Sequence, residues 1–385
     1  MLIVTLLEAL ELGLIYSILA LGVFLSFRTL NTPDLTVDGS IVTGAAVSAV
    51  VCSHAAGMDP AVQTLVCIIG LVLAFIFGMG AGAITALLNT KLKIQPLLAG
   101  ILVMLGIYSI NLRIQGKANI NLNSAPTIYK KMAEVMPGFK WSSIVLGALI
   151  AAVVIVLMFG FLKTRKGFAL RATGDNEDMV RAAGISSDNM KLLGLSVSNG
   201  LVGLAGGMLA QYQGYSDVGM GTGMVVIGLA SVIIGEVLFG TGSLMRRLIA
   251  VALGAVVYRM VIGVALYLGM PPTDLKLVSA VIVTIALAMG MLGENFSLRN
   301  SIAGVFPVDS GRIEIDGKEI SGLPEHKRAK LIGRVFQDPM KGTAFDMTIE
   351  ENLSIAYNKM RKRGFQAGIN KADRELFSEK RFPTP

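Results

Sequence analysis

Four charged side chains in apolar surroundings are the first residues with chemistry to perform. Glu236 stands within the run Met224–Phe239 and Arg259 within Leu248–Leu268, and a charge in such a run needs a partner or water. Their opposite signs allow a structural ion pair between neighbouring helices; the alternative is that they line a path for a solute. Asp34 and Asp38 flank the inner end of a short apolar run, Ser40–Ser53, beside Pro33. Proline and glycine on either side of a short helix are the pattern of a broken or re-entrant segment, whose half-helix end can face a solute or a central cavity. Catalytic constellations are missing. His54 and His326 are isolated, no Ser/His/Asp set or metal-ligand spacing stands out, and Cys52 and Cys67 read as small core residues. Gly116-Lys117 and Gly317-Lys318 are followed by Ala and Glu, so neither completes the Gly-Lys-Ser/Thr loop that cradles phosphate. The chemistry on offer is that of a conduit rather than of an enzyme.

The elements that must position these charges are membrane spans. With 53% hydrophobic and 16% charged residues and a mean hydropathy of +0.66, the 385-residue chain is too apolar for a soluble globular protein. Apolar runs near the roughly 20 residues that cross a bilayer number about nine: Leu10–Phe27, Ser40–Ser53, Val62–Leu88, Pro96–Leu112, Ser142–Leu162, Leu192–Gln211, Met224–Phe239, Leu248–Leu268 and Leu275–Leu292. The second is short for a span, and the third is long enough to tilt or hide a break. Glycine-dense stretches such as Gly78–Ala83 and Gly200–Gly207 allow the close backbone approach that holds helices together in lipid. Gly214–Gly223 reads as unwound backbone at the outer end of a span. Residues 1–293 hold 18 Lys/Arg and 13 Asp/Glu, and the last 92 residues hold 16 and 13, so a membrane part precedes a soluble tail. Eleven of the 18 membrane-part cations fall in loops assigned to the inside or its boundary. Retention of positive loops explains the net charge of +8 without nucleic acid as a partner. Arg113–Trp141, with five basic residues, is assigned to the outside against that trend. Glu8 and Glu11 in place of basic residues speak against a removable signal peptide.

Lys163–Lys191 is the one long polar segment between two apolar runs, with six basic residues. It leads into a short helix, Asn176–Ala183, that Asp175 or Asn176 can cap. Glu177 and Asp178 suit the positive end of its dipole and Arg181 the negative end, and Gly184 can take the left-handed conformation that ends it. Arg171-Ala172-Thr173-Gly174-Asp175-Asn176 and Arg181-Ala182-Ala183-Gly184-Ile185 resemble the coupling helix of ABC-transporter permeases of the branched-chain amino-acid and ribose importer type. The resemblance extends over roughly Leu10–Leu292, and Asp34–Ser40 resembles the uncharacterised amino-acid-type branch of that family.

The tail is a different kind of sequence. Gly311–Gly317 alternates with period two and ends in Asp-Gly, a strand entering a hairpin, and Thr348–Glu351 is a capping box. Gly333-Arg334-Val335-Phe336-Gln337-Asp338-Pro339 resembles the glutamine loop of an ABC ATPase, and Asn300–Lys359 resembles that family more widely. Walker A, signature and Walker B motifs are all missing, so Gln337 and Asp338 read as a vestigial loop.

The expected fold is an all-α polytopic membrane protein, residues 1–293, a junction at 294–299, and a small α/β fragment of an ATPase domain at 300–385. The resemblance implies the membrane subunit of an ATP-driven importer for an amino acid or related small polar solute, with sugars next. It implies a multi-pass position in the plasma membrane of a prokaryote, in contact with membrane lipid and with the tail cytoplasmic. The implied partners are an intact ABC ATPase, a second permease copy and a solute-binding protein, with ATP and Mg held by the ATPase and no cofactor on this chain. Arg171, Ala172, Gly174, Asp175, Asn176, Glu177, Asp178, Arg181 and Gly184 would couple to the ATPase. Two alternatives stay open: a secondary transporter or channel, and a non-functional product of a fused or truncated permease and ATPase gene pair.

Overall fold

The computed structural model describes residues 2–135, 141–182, 184–271, 274, 277–281, 284, 312–315, 317–323 and 325–328. The chain divides into two compact units, Met1–Gly290 and Met291–Pro385. The first is helical. Helix α1 (Leu2–Val23) runs directly into a π-helical turn, Phe24–Thr29, and is followed by α2 (Thr36–His54), α3 (Pro60–Thr90) and α4 (Pro96–Gln115). Both α3 and α4 begin on proline, where the missing N–H would have had no helical partner. A short strand β1 (Asn119–Asn121) and helix α5 (Ile128–Val135) lead to α6 (Ser142–Lys163), α7 (Arg165–Asp175), α8 (Glu177–Ala182) and α9 (Ser187–Gln213). Strand β2 (Tyr215–Asp217), α10 (Met224–Phe239) and α11 (Leu244–Tyr267) complete the described bundle.

Seven helices among the described residues are long and apolar enough to cross a membrane, and the 16-residue α10 is shorter. The run expected to be short, Ser40–Ser53, is part of a 19-residue helix, because the polar residues Thr36–Gly39 are helical too. The long third run is one unbroken helix of 31 residues. Most of Leu275–Leu292, the ninth expected span, lies outside the described residues.

Helices α2 and α9 form the centre: 78% of each apolar window is buried, against 28% for α4 and α6. Leu102 and Leu105 on α4, and Leu149, Val156 and Leu157 on α6, are exposed, an apolar surface suited to lipid tails. Small residues let the central backbones touch. A β-carbon on Gly44 of α2 would overlap the Gly203 carbonyl of α9, and one on Gly78 of α3 would overlap the Asn199 carbonyl. Helices α3 and α9 are antiparallel, since Gly82 faces Leu195 while Gly78 faces Gly203.

At one end of the bundle β1 and β2 pair antiparallel, with Ile120 opposite Ser216. Sequence reading marked Gly214–Gly223 as unwound, and after the Gly214 cap this stretch is indeed strand and turn. The described residues 113–135 of the Arg113–Trp141 segment lead to this end, and part of its surplus charge has a structural use. Lys130 Nζ donates to the carbonyls of Leu122, Asn123 and Ala125 at 3.0, 2.8 and 2.9 Å, holding the loop before α5. Lys131 pairs with Glu134 at 2.8 Å.

In the second unit, β3 (Glu314–Ile315) and β4 (Lys318–Glu319) form an antiparallel hairpin, with Gly317 at φ +72° in the turn. This is the hairpin expected from Asp316-Gly317. A one-turn helix α12 (Glu325–Arg328) follows, and the buried Arg328 donates to the carbonyls of Leu323 and Ser321, each at 2.6 Å. Gln337, Asp338 and the Thr348–Glu351 capping box lie outside the described residues.

The contact between Gly44 and Gly203 yields a direct test. Gly44→Val would drive a branched side chain into backbone, an overpacking cost of about 1–3 kcal/mol or more. Gly106→Ala, on an open face of α4, should be neutral. Size-exclusion chromatography in detergent should show loss of the monodisperse peak for the first variant and none for the second.

Candidate functional site

The expected partnership between Glu236 and Arg259 is replaced by another. Glu236, buried near the end of α10, accepts from Arg28 at 2.6 Å on Oε2 and from Arg247 at 2.7 Å on Oε1. The π turn that ends the first span presents Arg28, and the first turn of α11 presents Arg247. The Arg247 guanidinium also lies over the Phe24 ring, 5.2 Å from its centroid. One carboxylate thus ties three segments together, because a desolvated charge is stable only when paired and hydrogen-bonded. Arg259 sits further along α11, over the Tyr16 ring at 4.9 Å in a cation–π contact. Its Nε has no hydrogen-bond partner among the described residues.

The polar segment 163–191 is two helices rather than one. Thr164 caps α7 by accepting from the Gly167 amide at 3.1 Å. Leu170 and Thr173 are buried, and a β-carbon on Gly174 would overlap the Thr29 carbonyl. Gly174 therefore docks α7 on the chain's own membrane unit. Arg171 and Asp175 line a polar cavity of about 260 Å3 with Arg28 and Arg247. Asn176 is extended at φ −155° and breaks the helix, with Ala172 just before it on α7. Then α8 carries Glu177, Asp178 and Arg181. Gly184 has the left-handed φ of +78° expected of it. The Gly184 amide bonds to the Arg181 carbonyl at 2.9 Å and the Ile185 amide to Val180 at 3.1 Å, the Schellman pattern that ends a helix on glycine.

Glu177 is the hub of this surface. It accepts from Arg181 at 2.6 Å, four residues on, and from Lys191 of α9 at 2.7 Å, while Arg181 Nε donates to Ser187 at 2.7 Å. Burial would raise the Glu177 carboxyl, but hydrogen bonds from Lys191 and Ser187 and the charges of Lys191 and Arg181 outweigh it, holding the group below its ordinary value. This clamp fixes α8 against the start of α9 and leaves Gly184 and Arg181 exposed.

The two aspartates separate in the structure. Asp34 is fully buried; it accepts from the Thr36 amide at 2.9 Å and from Asn199 Nδ2 at 2.6 Å, tying the start of α2 to the middle of α9. Ser40 donates to Asn199 Oδ1 at 2.7 Å, and the Thr36 and Thr85 hydroxyls meet at 2.6 Å. Asp38, one turn further along α2, accepts from the amides of Gly223 and Val225 at 2.9 and 2.8 Å, so it caps α10. It lines a cavity of about 180 Å3 with Gly39, Val42, Met104, Tyr108 and Asn111. Asp38 thus stands on a cavity wall.

Sequence reading passed over three buried amides. Asn199 bridges Asp34 and Ser40, Gln211 donates to Ser48 Oγ at 2.9 Å and to the Cys67 carbonyl at 3.1 Å, and Asn111 reaches the Gly39 carbonyl at 3.4 Å. An uncharged amide in an apolar run is itself a signal, since hydrocarbon cannot satisfy it. Neutral polar residues draw less attention than charges.

Membrane-length helices packed on a polar centre, with a basic, well-terminated helix pair at one end, define a polytopic membrane transport subunit. Residues 5–292 match the family described as the branched-chain amino acid transport system permease component, and the chain belongs to it. It is 40% identical over 303 residues to a tyrosine transport system permease protein of Clostridioides difficile (strain R20291), covering 79% of this chain and 96% of that one. The autoinducer 2 import system permease protein LsrC of Yersinia enterocolitica (serotype O:8 / biotype 1B, strain NCTC 13174 / 8081) is 29% identical over 264 residues, 66% of each chain. A stretch of 63 residues is 48% identical to a tyrosine transport ATP-binding protein of the same C. difficile strain, 16% of this chain and 25% of that protein. No solved structure matches the chain.

Glu236→Gln should lower folded yield and thermal stability by roughly 1–3 kcal/mol, less than for a fully enclosed pair because both arginines are partly exposed. A second change, Arg247→Met, should restore part of the loss, whereas Arg259→Met should restore none; thermal unfolding in detergent decides between them. For Glu177, a depressed folded pKa means its contribution is complete above the unfolded value of about 4.3. That contribution is lost as pH falls through the lower folded value. Amide exchange over residues 177–191, corrected for intrinsic rates, should be unchanged from pH 7 to 5 and faster at pH 3.

Proposed function

We propose that the chain is the membrane-spanning subunit of an ATP-driven importer for an amino acid of the tyrosine type. The observation that carries this reading is a permease relative matched over 96% of its length together with an exposed, clamped helix pair on one end of the bundle. The tyrosine named for that relative supports the solute class. Arg171, Ala172, Asp175, Asn176, Glu177, Asp178, Arg181 and Gly184 form the surface that meets the ATPase. Gly174 acts one layer below by seating α7. The shared salt bridge of Glu236 with Arg28 and Arg247 carries motion of this end to α1, α10 and α11. Asp38 lies on the solute path.

ATP and Mg reside on a separate ATPase, a second copy of the permease completes the conduit, and a solute-binding protein delivers the cargo. The basic end, with Arg28, Lys163–Lys191 and Arg246/Arg247, faces the cytoplasm of a prokaryote. The tail from Asn300 is a partial ABC ATPase domain, with Gln337 and Asp338 its vestigial glutamine loop, lacking Walker A, signature and Walker B. The 63-residue likeness to an ATP-binding protein supports that reading.

Gly184→Val places a branched side chain at a left-handed residue, a cost of about 1–2 kcal/mol, and Glu177→Lys reverses the hub of the clamp. Both should reduce transport and recovery of the partner ATPase in co-purification while the permease still folds; normal recovery and normal transport would refute the coupling surface. A fluorescent ATP analogue titrated onto the full chain in detergent should show no magnesium-dependent binding. Micromolar binding would mean that the tail is a working domain.

A further inference from the structure

The cavity beside Asp38 has a chemistry of its own. Asn111 of α4 is 1% exposed, and its Nδ2 is directed to the Gly39 carbonyl, an acceptor, so the other end of the amide is the carbonyl oxygen. That Oδ1 has no hydrogen-bond partner among the described residues, and Asn111 lines the cavity. A buried carbonyl left unpaired costs about 1–3 kcal/mol, which a bound donor would recover. Asp38 lines the same cavity. Its oxygens accept the Gly223 and Val225 amides and a further backbone hydrogen bond from Met224, and a carboxylate has about four acceptor positions, so one is left open.

Both open positions are acceptors, and no Lys, Arg or His is among the lining residues. The ligand group that fits must bring several N–H donors, and positive charge. Val42, Met104, Leu105 and Tyr108 supply an apolar remainder. A volume of about 180 Å3 takes one small amphipathic molecule. Resting on the importer reading above, we infer that this cavity is a solute subsite that takes the ammonium group of an amino acid between Asp38 and Asn111, with the solute's side chain against the Tyr108 wall.

The test is uptake of radiolabelled L-tyrosine into proteoliposomes holding the complete transporter with saturating solute-binding protein, with ATP hydrolysis measured in parallel. Asn111→Leu removes the acceptor and should cut uptake per ATP hydrolysed by roughly tenfold or more. Asn111→Asp supplies a stronger acceptor and should restore most of it. If Asn111 only props α4 against α2, the aspartate variant adds a second buried carboxylate next to Asp38 and should be the worse of the two in uptake and folded yield. That order, or unchanged uptake in Asn111→Leu, overturns the subsite while leaving the importer reading standing. Absence of L-tyrosine uptake by the unaltered complex overturns the amino-acid reading and the subsite with it.

Discussion

Lipid solvates an apolar helix about as well as another helix does, so the bundle has no hydrophobic force to hold its centre. What holds it is contact at backbone distance. Where Gly44 meets Gly203, and Gly78 meets Asn199 and Gly203, α2, α3 and α9 approach closely enough for dispersion and side-chain hydrogen bonds to act between them. The polar centre depends on that closeness. Asn199 can reach Asp34, Ser40 and the Leu195 carbonyl at once only because no larger side chain separates the helices. Buried donors and acceptors then satisfy one another, which hydrocarbon could not do.

Two kinds of charge are treated differently in this frame. Asp34 is enclosed, with both oxygens engaged, and pins the start of α2. Asp38 caps α10 and lines a cavity. Glu236, nearer the basic end, is spent on two arginines from two other segments. Such a three-way ion pair is geometrically demanding, since loss of any member leaves a charge poorly solvated. It therefore couples the π turn, α10 and α11 as one unit. The polar cavity lined by Arg171, Asp175, Arg28 and Arg247 brings α7 next to that unit, giving a continuous set of contacts from the exposed helix pair to the bundle.

The helix pair is held on both sides. Helix α7 is seated by Leu170 and Gly174, α8 is held to α9 by Glu177 and Lys191, and the break between them is the single extended residue Asn176. The pair's outer surface keeps Arg181 and Gly184 exposed while its inner surface is committed to packing.

Much of this was legible in the order of residues. Apolar length marked the spans, because a helix must run about 20 residues to cross hydrocarbon. Gly184 announced its left-handed turn through the lack of a β-carbon, and Asp316-Gly317 announced a hairpin. The glycine-dense runs were recognisable by composition. Tertiary structure alone decided the pairings. Glu236 and Arg259 have opposite signs on neighbouring helices, yet Arg259 lies twelve residues beyond Arg247, about 18 Å along α11, so Glu236 pairs with Arg247 and Arg259 lies over Tyr16. Gly174 read as part of an exposed knob, but its bare Cα is spent against Thr29. Asn111, Asn199 and Gln211 stayed unnoticed because an amide's partner lies up to 165 residues away. Periodicity and capping act over a few residues and so can be read from the chain, whereas the partner of a buried polar atom is fixed only when the helices have packed.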